Sequence, residues 1–201
     1  MSGVRVPGVV ATSFEPEGEP VGTAYLVPGR GYPAVAPLLF FAGFALLQHG
    51  WTVRHVWWDP PPHESHEQTT AWVRARVEEA LPRDGRVMVV AKSLGTYAAP
   101  LAAERGLEAV WFTPLLQVPP LVDAIAANPA RQLLVGGTAD DIAWRPDVAR
   151  TLAARGCDLC ELPGADHALM TPGDTVRGVE GHAEAIRALD GFLSAVSPVN
   201  R

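Results

Sequence analysis

Short apolar runs alternate along this chain with longer segments in which apolar residues recur at helical spacing. Runs of this kind, bounded by glycine, proline and polar residues, are typical of buried strands. They predict strands over residues 9–14, 23–27, 52–57, 86–90, 109–112, 132–135 and 158–162.

The longer segments predict amphipathic helices over residues 69–81, 146–155 and 182–196. Helix 146–155 begins with proline, a residue favoured in the first helical turn. Strands that alternate with helices of this length indicate βαβ units and a mostly parallel sheet. The turn-rich link 15–20 predicts that the first two strands form an antiparallel hairpin at one edge.

Polar or glycine-rich sequence follows four of the predicted strands, at 28–32, 91–95, 136–141 and 163–167. In parallel sheets, binding and catalytic groups collect in the loops beyond the carboxyl ends of the strands. These four segments are therefore the candidates for a functional site.

Composition restricts the class of protein. With 201 residues, 48% of them hydrophobic and 19% charged, the chain is expected to form a single globular domain over residues 1–201. Its net charge is −6, Lys92 is its one lysine, and it has no basic run. Nucleic acid and anionic membrane surfaces are therefore not expected as partners, and the expected partner is a small-molecule substrate.

The most apolar stretch, residues 34–47, contains Pro37 and Gly43 and is too short to span a bilayer, so it predicts a buried helix. The first residues lack the apolar centre of a secretory signal. We therefore expect a cytoplasmic protein, while the sequence leaves its oligomeric state undetermined.

Two cysteines form a C-x-x-C pattern: Cys157 directly precedes the predicted strand 158–162, and Cys160 lies within it. Residues three apart in a strand point to opposite faces and lie about 10 Å apart, which is too far for a disulfide. His63 and His66 also lack an obvious third ligand for a metal. The sequence therefore predicts neither a metal nor another cofactor.

Ser93 follows the predicted strand 86–90 and precedes a helical run. Ala91 and Gly95, two residues before and after it, are both small, as a tight turn from strand to helix requires. Such a turn exposes the serine hydroxyl and leaves the backbone N–H of Leu94 free to donate. By itself this motif is weak evidence for a nucleophile.

Asp140 and His167 strengthen the case for Ser93, because each follows a later strand on the same edge of the predicted sheet. A serine hydroxyl needs a base to remove its proton, and that base needs an anion to orient it. Serine, aspartate and histidine in these three loops therefore predict a catalytic triad, although Asp140 alone could be a helix cap. Asp141 remains an alternative acid.

Other titratable residues near these loops have simpler explanations. Asp166 neighbours His167, but adjacent side chains rarely face each other, and His182 is expected to begin the last helix in an exposed position. Lys92 suggests a serine–lysine pair, yet adjacent side chains on a sharp turn diverge. A buried or salt-bridged lysine behind the turn is the favoured interpretation.

The order Ser93, Asp140, His167 resembles that of the α/β-hydrolases over residues 9–196. Ser93 matches the nucleophile elbow of that family, with Ala91 in place of its first glycine. This resemblance implies a three-layer α/β/α sandwich and matches residues 28–31 to the oxyanion loop. The oxyanion would then be bound by the N–H of Leu94 with that of Arg30 or Gly31.

Only 20 residues separate Phe112 from Leu133, which leaves no room for a large cap domain. The candidate cover is the proline-rich loop 58–68, with an open site beneath it. Residues expected to contact substrate are Tyr32, Trp58, His63 and Trp144.

The resulting expectation is a serine hydrolase that cleaves a small ester, a thioester or a similar acyl substrate. The alternative is a non-hydrolytic protein of the same fold, such as a biosynthetic cyclase or lyase or a binding protein.

Overall fold

The computed structural model of this chain describes residues 5–6, 9–10, 13–62 and 65–195. Its strands are β1 (Arg5–Val6), β2 (Val9–Val10), β3 (Ser13–Phe14), β4 (Gly22–Val27), β5 (Trp51–His55), β6 (Val87–Lys92), β7 (Glu108–Phe112), β8 (Gln132–Gly137) and β9 (Asp158–Leu162). Its α-helices are α1 (Pro37–Gln48), α2 (His66–Ala80), α3 (Ala99–Arg105), α4 (Pro119–Ala127), α5 (Pro146–Ala153) and α6 (Thr175–Ser194), and a 3₁₀ segment spans Ser93–Ala98.

Seven strands form one sheet in the order β3-β5-β4-β6-β7-β8-β9. All neighbours in it are parallel except β3, which runs antiparallel to β5. The short strands β1 and β2 form a separate antiparallel pair. The mostly parallel sheet predicted from the alternation of strands and helices is confirmed.

Helices cover both faces of the sheet. The core on one face contains buried side chains of α2, α3, α4 and α5, and the core on the other contains those of α1 and α6. Strand β6 supplies both, because Val89 and Ala91 join the first core while Met88 and Val90 join the second. This arrangement confirms the three-layer α/β/α sandwich.

The predicted hairpin between the first two strands is wrong. Strand β3 pairs with β5, with Phe14 opposite Val53, whereas β4 lies between β5 and β6 and pairs with both in parallel. Both edges of β4 are therefore occupied. The turn residues of 15–20 reverse the chain, but they do not determine which strand receives β3.

The last helix begins at Thr175, well before the predicted start at residue 182. Asp174 caps it by accepting a hydrogen bond from the backbone N–H of Arg177. The first part of the helix was not predicted because glycine occupies two of its buried positions, Gly178 and Gly181, where an apolar side chain would have marked the helical spacing. Gly178 packs directly against Met170. The predicted end at residue 196 lies outside the described residues.

Helix α1 is only partly buried, which corrects the prediction of a buried helix over residues 34–47. Leu38, Leu39 and Leu46 lie in the core, whereas Phe40 and Phe44 are exposed on the opposite side. None of the helices within the described ranges has the length and apolar character needed to cross a bilayer.

The two cysteines lie on opposite faces of the sheet, as their spacing in a strand predicts. Cys157 packs against the core beneath α2–α5, and Cys160 packs against the core beneath α1 and α6. Both thiols are free. Burial raises the pKa of Cys157 to about 11, which keeps this thiol protonated and unreactive at neutral pH.

A close contact at the end of β8 yields the first prediction. A Cβ added at Gly136 would lie 2.0 Å from the ring of Trp144. We expect Gly136→Ala to lower the free energy of unfolding by about 2–3 kcal/mol, because the buried ring has to move. Urea denaturation followed by tryptophan fluorescence measures the change.

The matched control is Gly191→Ala in α6, where an added Cβ has no heavy atom within 4 Å. This substitution should raise stability by about 0.5–1 kcal/mol, because alanine has the higher helix propensity. An equal effect of the two substitutions would contradict the assignment of the loss to Trp144.

Candidate active site

Ser93 lies at a sharp turn between β6 and the 3₁₀ segment that leads into α3, and its φ angle is +51°. Here the chain folds back against β4. A Cβ added at Gly95 would lie 2.9 Å from the carbonyl oxygen of Val27 and 3.0 Å from the Cβ of Ala91. Small residues at 91 and 95 therefore permit the turn that presents the serine hydroxyl.

The structure brings Ser93, His167 and Asp140 together in one chain of hydrogen bonds. The Nε2 atom of His167 lies 2.9 Å from the Oγ of Ser93, and its Nδ1 atom lies 2.8 Å from the Oδ2 of Asp140. Since the carboxylate can only accept, Nδ1 carries the proton and Nε2 is free to accept the serine proton.

Asp140 is buried and firmly held. Its Oδ1 atom accepts hydrogen bonds from the backbone N–H groups of Ala143 and Ile142, at 2.9 and 3.1 Å. Burial opposes ionisation of this carboxyl, but the hydrogen bonds from His167 and from these two amides hold its pKa below the ordinary value. The carboxylate is therefore ionised at neutral pH.

Asp141, the alternative acid, is exposed and lines the cavity in front of the serine, whereas the hydrogen bond to His167 Nδ1 comes from Asp140. The two carboxylates have different surroundings in the turn after β8. Asp140 accepts hydrogen bonds from the backbone N–H groups of residues 142 and 143. Asp140 is the carboxylate in contact with His167.

The loop that carries His167 is held by its own side chains and by α6. Asp166 accepts hydrogen bonds from the backbone N–H groups of Ala168 and Met170. His182 is not exposed at a helix start, as the sequence suggested, but is partly buried within α6, where its Nε2 lies 2.9 Å from the carbonyl oxygen of Ala168. The apolar pattern missed this role because the first turns of α6 contain glycine.

Lys92 is buried behind the serine, as expected, with 2% of its surface exposed. Its Nζ atom donates to the hydroxyl of Thr113 and to the carbonyl oxygen of His167, both at 2.9 Å, and lies 4.8 Å from the ring centre of Tyr32. Burial lowers its pKa to about 8, while Asp140 and Asp166 oppose this shift.

A cavity of about 590 Å³ lies in front of the serine. It is lined by Gly29, Arg30, Gly31, Tyr32, Lys92, Ser93, Asp141, Ile142, Asp166, His167 and Ala168. A Cβ at Gly29 would lie only 3.5 Å from the Cβ of Ser93, so the loop 28–32 passes directly beside this serine. Arg30, Gly31 and Tyr32 thus reach the site, and Leu94 follows Ser93 with its side chain in the core.

The aromatic residues differ in how they relate to this cavity. Trp58 does not line this cavity but lines a smaller one of about 230 Å³, together with residues 28–33. Its indole Nε1 donates to the carbonyl oxygen of Gly29 at 3.4 Å. The side chain of Arg30 donates to the carbonyl oxygen of Pro61, which attaches the first part of the candidate cover loop. His63 lies outside the described residues.

Trp144 does not reach the cavity, which corrects its expected contact with substrate. It is buried against Gly136, and its Nε1 donates to a carboxylate oxygen of Glu161 at 2.8 Å. The close approach of glycine to the ring makes Trp144 a core residue. In the parts of the chain that the structure describes, no cluster of three His, Cys, Asp or Glu side chains could hold a metal ion.

The fold resembles several solved structures. Est1E from Butyrivibrio proteoclasticus, with ferulic acid bound, is 12% identical with a TM-score of 0.72, and the match covers 97% of this chain and 98% of that one. XC6422 from Xanthomonas campestris, described as an α/β serine hydrolase without lid, is 17% identical with a TM-score of 0.67 and coverage of 96% and 91%. Mouse α/β-hydrolase domain-containing protein 10 is 10% identical with a TM-score of 0.67 and coverage of 98% and 99%.

No protein-family model and no curated protein matches the sequence. At the identities of the solved structures, the likeness establishes the fold, which is that of the α/β-hydrolases.

The buried lysine yields a prediction about stability and pH. Because the pKa of Lys92 is lowered from 10.5 to about 8, the unfolded chain binds a proton that the folded chain has released within this range. Stability contributed by this group therefore rises with pH there. Between about pH 8 and 9.5, the free energy of unfolding should rise by about 1–2 kcal/mol relative to Lys92→Met.

Urea titrations of both proteins at the two pH values measure this difference. The variant cancels the contributions of tyrosine and cysteine, which titrate in the same range and are present in both proteins. A difference that stays constant with pH would contradict a lowered lysine pKa.

Proposed function

We propose that this α/β-hydrolase-fold chain is a serine hydrolase that cleaves small esters or thioesters through an acyl intermediate on Ser93. The observation that carries the proposal is the continuous set of hydrogen bonds from the Ser93 hydroxyl through His167 to the buried Asp140. This arrangement lies at the mouth of an open cavity, where a substrate carbonyl can reach the hydroxyl.

In the first half of the reaction, the Oγ of Ser93 attacks the carbonyl carbon while its proton passes to Nε2 of His167. The negative charge on the carbonyl oxygen is bound by the N–H of Leu94 together with that of Arg30 or Gly31. When this tetrahedral intermediate collapses, the bond to the leaving group breaks. The alcohol or thiol leaves with the proton from His167, and the acyl group remains on Ser93.

In the second half, water takes the place of the leaving group. His167 removes a proton from the water, which attacks the acyl carbon, and then returns the proton to Ser93 as the acid departs. Asp140 holds the imidazole in the required tautomer in both halves. It also stabilises the imidazolium that forms in each, because it is ionised and fixed by backbone amides.

The surroundings of the serine support a small substrate. The connection between β7 and β8 contains only α4, whose buried Leu121 and Ile125 pack on the core, so it forms no cap. The cavity of about 590 Å³ is open and combines Tyr32 and Ile142 with charged side chains. We propose that Tyr32 contacts the substrate there, that the adjoining Trp58 contacts larger substrates, and that no cofactor takes part.

A fluorophosphonate reacts only with an activated serine. It should therefore label Ser93 if the chain is a serine hydrolase, and it should leave the chain unlabelled if the chain is a binding protein of the same fold. The contact between Ser93 and His167 favours hydrolysis, because it places an acceptor for the serine proton at 2.9 Å.

We expect Ser93→Ala to abolish fluorophosphonate labelling and to lower kcat for p-nitrophenyl acetate by about 10⁴- to 10⁶-fold, because no other hydroxyl takes its position. The fold should be retained, since alanine is smaller than serine. Ser194→Ala, at an exposed helix end, is the control and should label as the native chain does. A Ser93→Ala protein with more than a tenth of the native activity would exclude Ser93 as the nucleophile.

The two adjacent acids give the next prediction. Asp140→Asn should lower kcat by about 10³- to 10⁴-fold, because an amide does not stabilise the imidazolium and can reverse the tautomer. Asp141→Asn should change kcat less than about threefold, since this exposed side chain does not contact His167. Steady-state kinetics on p-nitrophenyl acetate compares them, and the reverse order would transfer the role to Asp141.

The open cavity predicts a preference for short acyl chains. Each methylene that stays in water loses about 0.8 kcal/mol that burial would contribute, so kcat/KM should level off or fall with chain length. The measurement is a series of p-nitrophenyl esters from acetate to decanoate below micelle-forming concentrations. A maximum at eight carbons or beyond would show a long apolar pocket and contradict the prediction.

A further inference from the structure

The position before the nucleophile holds the one lysine of the chain, at the end of the central strand β6. Alternation along β6 places Lys92 on the same face as Met88 and Val90, which both belong to the hydrophobic core beneath α1 and α6. An ammonium buried to 2% exposure in such a place is unfavourable unless specific partners compensate for it. The partners of Lys92 therefore indicate what the side chain does.

The nearest partners of the ammonium are a hydroxyl, a carbonyl oxygen and an aromatic ring, and an ammonium has three N–H donors. The Thr113 hydroxyl and the His167 carbonyl oxygen each accept a hydrogen bond of 2.9 Å, and the Tyr32 ring centre lies 4.8 Å away. Two of the three N–H donors of Lys92 are thus used within the protein, and the Tyr32 ring lies against the ammonium. Its role is exerted on the protein itself.

The contact with His167 closes a ring of interactions around the catalytic pair. A peptide bond joins Lys92 to Ser93, Nζ of Lys92 binds the backbone of His167, and the His167 ring returns to Ser93. Thr113 provides a rigid second attachment, because its backbone N–H donates to Val135 at 2.7 Å and its φ angle is +43°. One side chain thus ties the ends of β6 and β7 to the loop that carries the base.

We propose that Lys92 is a positioning residue: its ammonium holds the His167 backbone so that the imidazole faces Ser93, and its positive charge acts on that imidazole. The proposal rests on the function proposed above. Lys92 does not touch the reacting atoms and acts through His167.

The electrostatic part follows from the charged groups that face Lys92. Asp140, from the end of β8, and Asp166, from the loop after β9, are the carboxylates that stabilise its charge. The end of β7 presents the neutral Thr113, and the loop after β4 presents Tyr32. Arg30 and Asp141 lie farther out along the same cavity. A fixed positive charge next to His167 disfavours the imidazolium, so its removal allows protonation at higher pH.

The test compares Lys92→Met with the native chain. Methionine retains an unbranched chain but has no donor and no charge. We expect kcat for p-nitrophenyl acetate to fall about 10- to 100-fold with KM within about threefold, since positioning affects the reaction more than ground-state binding. The acid limb of the pH profile should move up by about half a pH unit or more.

Two further variants separate positioning from general damage to the fold. Val90→Ala removes buried volume from the same face of β6, so it should lower stability while leaving the acid limb in place. Lys92→Gln retains an amide donor without charge, so it should recover part of kcat while the acid limb stays shifted. It also provides the test if the methionine variant does not fold.

A readout independent of turnover uses the Ser93→Ala background, in which proton NMR follows the His167 imidazole during a pH titration. Adding Lys92→Met should raise the midpoint of this titration and broaden the imidazole N–H signal. If the native chain neither labels nor cleaves esters, the proposed function fails, but this titration still decides the role of Lys92. An unchanged midpoint, or a kcat within twofold of native with an unchanged acid limb, would overturn the proposal.

Discussion

The rest of the site depends on one constraint: after β6 the chain makes a sharp turn that packs tightly against β4. Gly95 approaches the backbone of β4 so closely that a Cβ would lie 2.9 Å from the oxygen of Val27. The turn forces Ser93 to a φ of +51°, which a non-glycine residue adopts only when the surrounding structure compensates. The parallel pairing of β6 with β4 and β7 provides that compensation. In return, the hydroxyl extends beyond the sheet edge.

The parallel sheet then determines which loops can meet this hydroxyl. Strands β8 and β9 end on the same edge as β6, so Asp140 and His167 approach Ser93 from loops that are far apart in sequence. Two buried charged side chains, Asp140 and Lys92, lie where these loops meet. The carboxylate of Asp140 is stabilised by backbone amides and by the imidazole, and the ammonium of Lys92 lies behind the pair. The site is thus assembled from polar groups that satisfy one another behind the serine, while His167 also borders the open cavity.

The cavity itself is open, and the connection between β7 and β8 forms no cap over it. The loop 28–32 and the segment that contains Trp58 and Pro61 are attached to each other through Arg30 and the indole of Trp58. Neither Trp58 nor Pro61 lines the cavity in front of Ser93. Under the proposed function, the reaction at Ser93 takes place in an open cavity close to solvent.

The sequence by itself determined the alternation of strands and helices, the two-sided core and the three loops that hold serine, aspartate and histidine. Short apolar runs bounded by turn residues, and the small residues around Ser93, are local signals, so they can be recognised without knowing the fold. Only the tertiary structure decided that β3 pairs with β5, that Asp140 rather than Asp141 contacts His167, that Trp144 is a core residue, and that Lys92 binds the backbone of His167. Most of these features depend on groups brought together from distant parts of the chain. The choice between Asp140 and Asp141 depends on the conformation of the loop that carries both. Neither long-range contacts nor loop conformation can be recognised from a local sequence pattern.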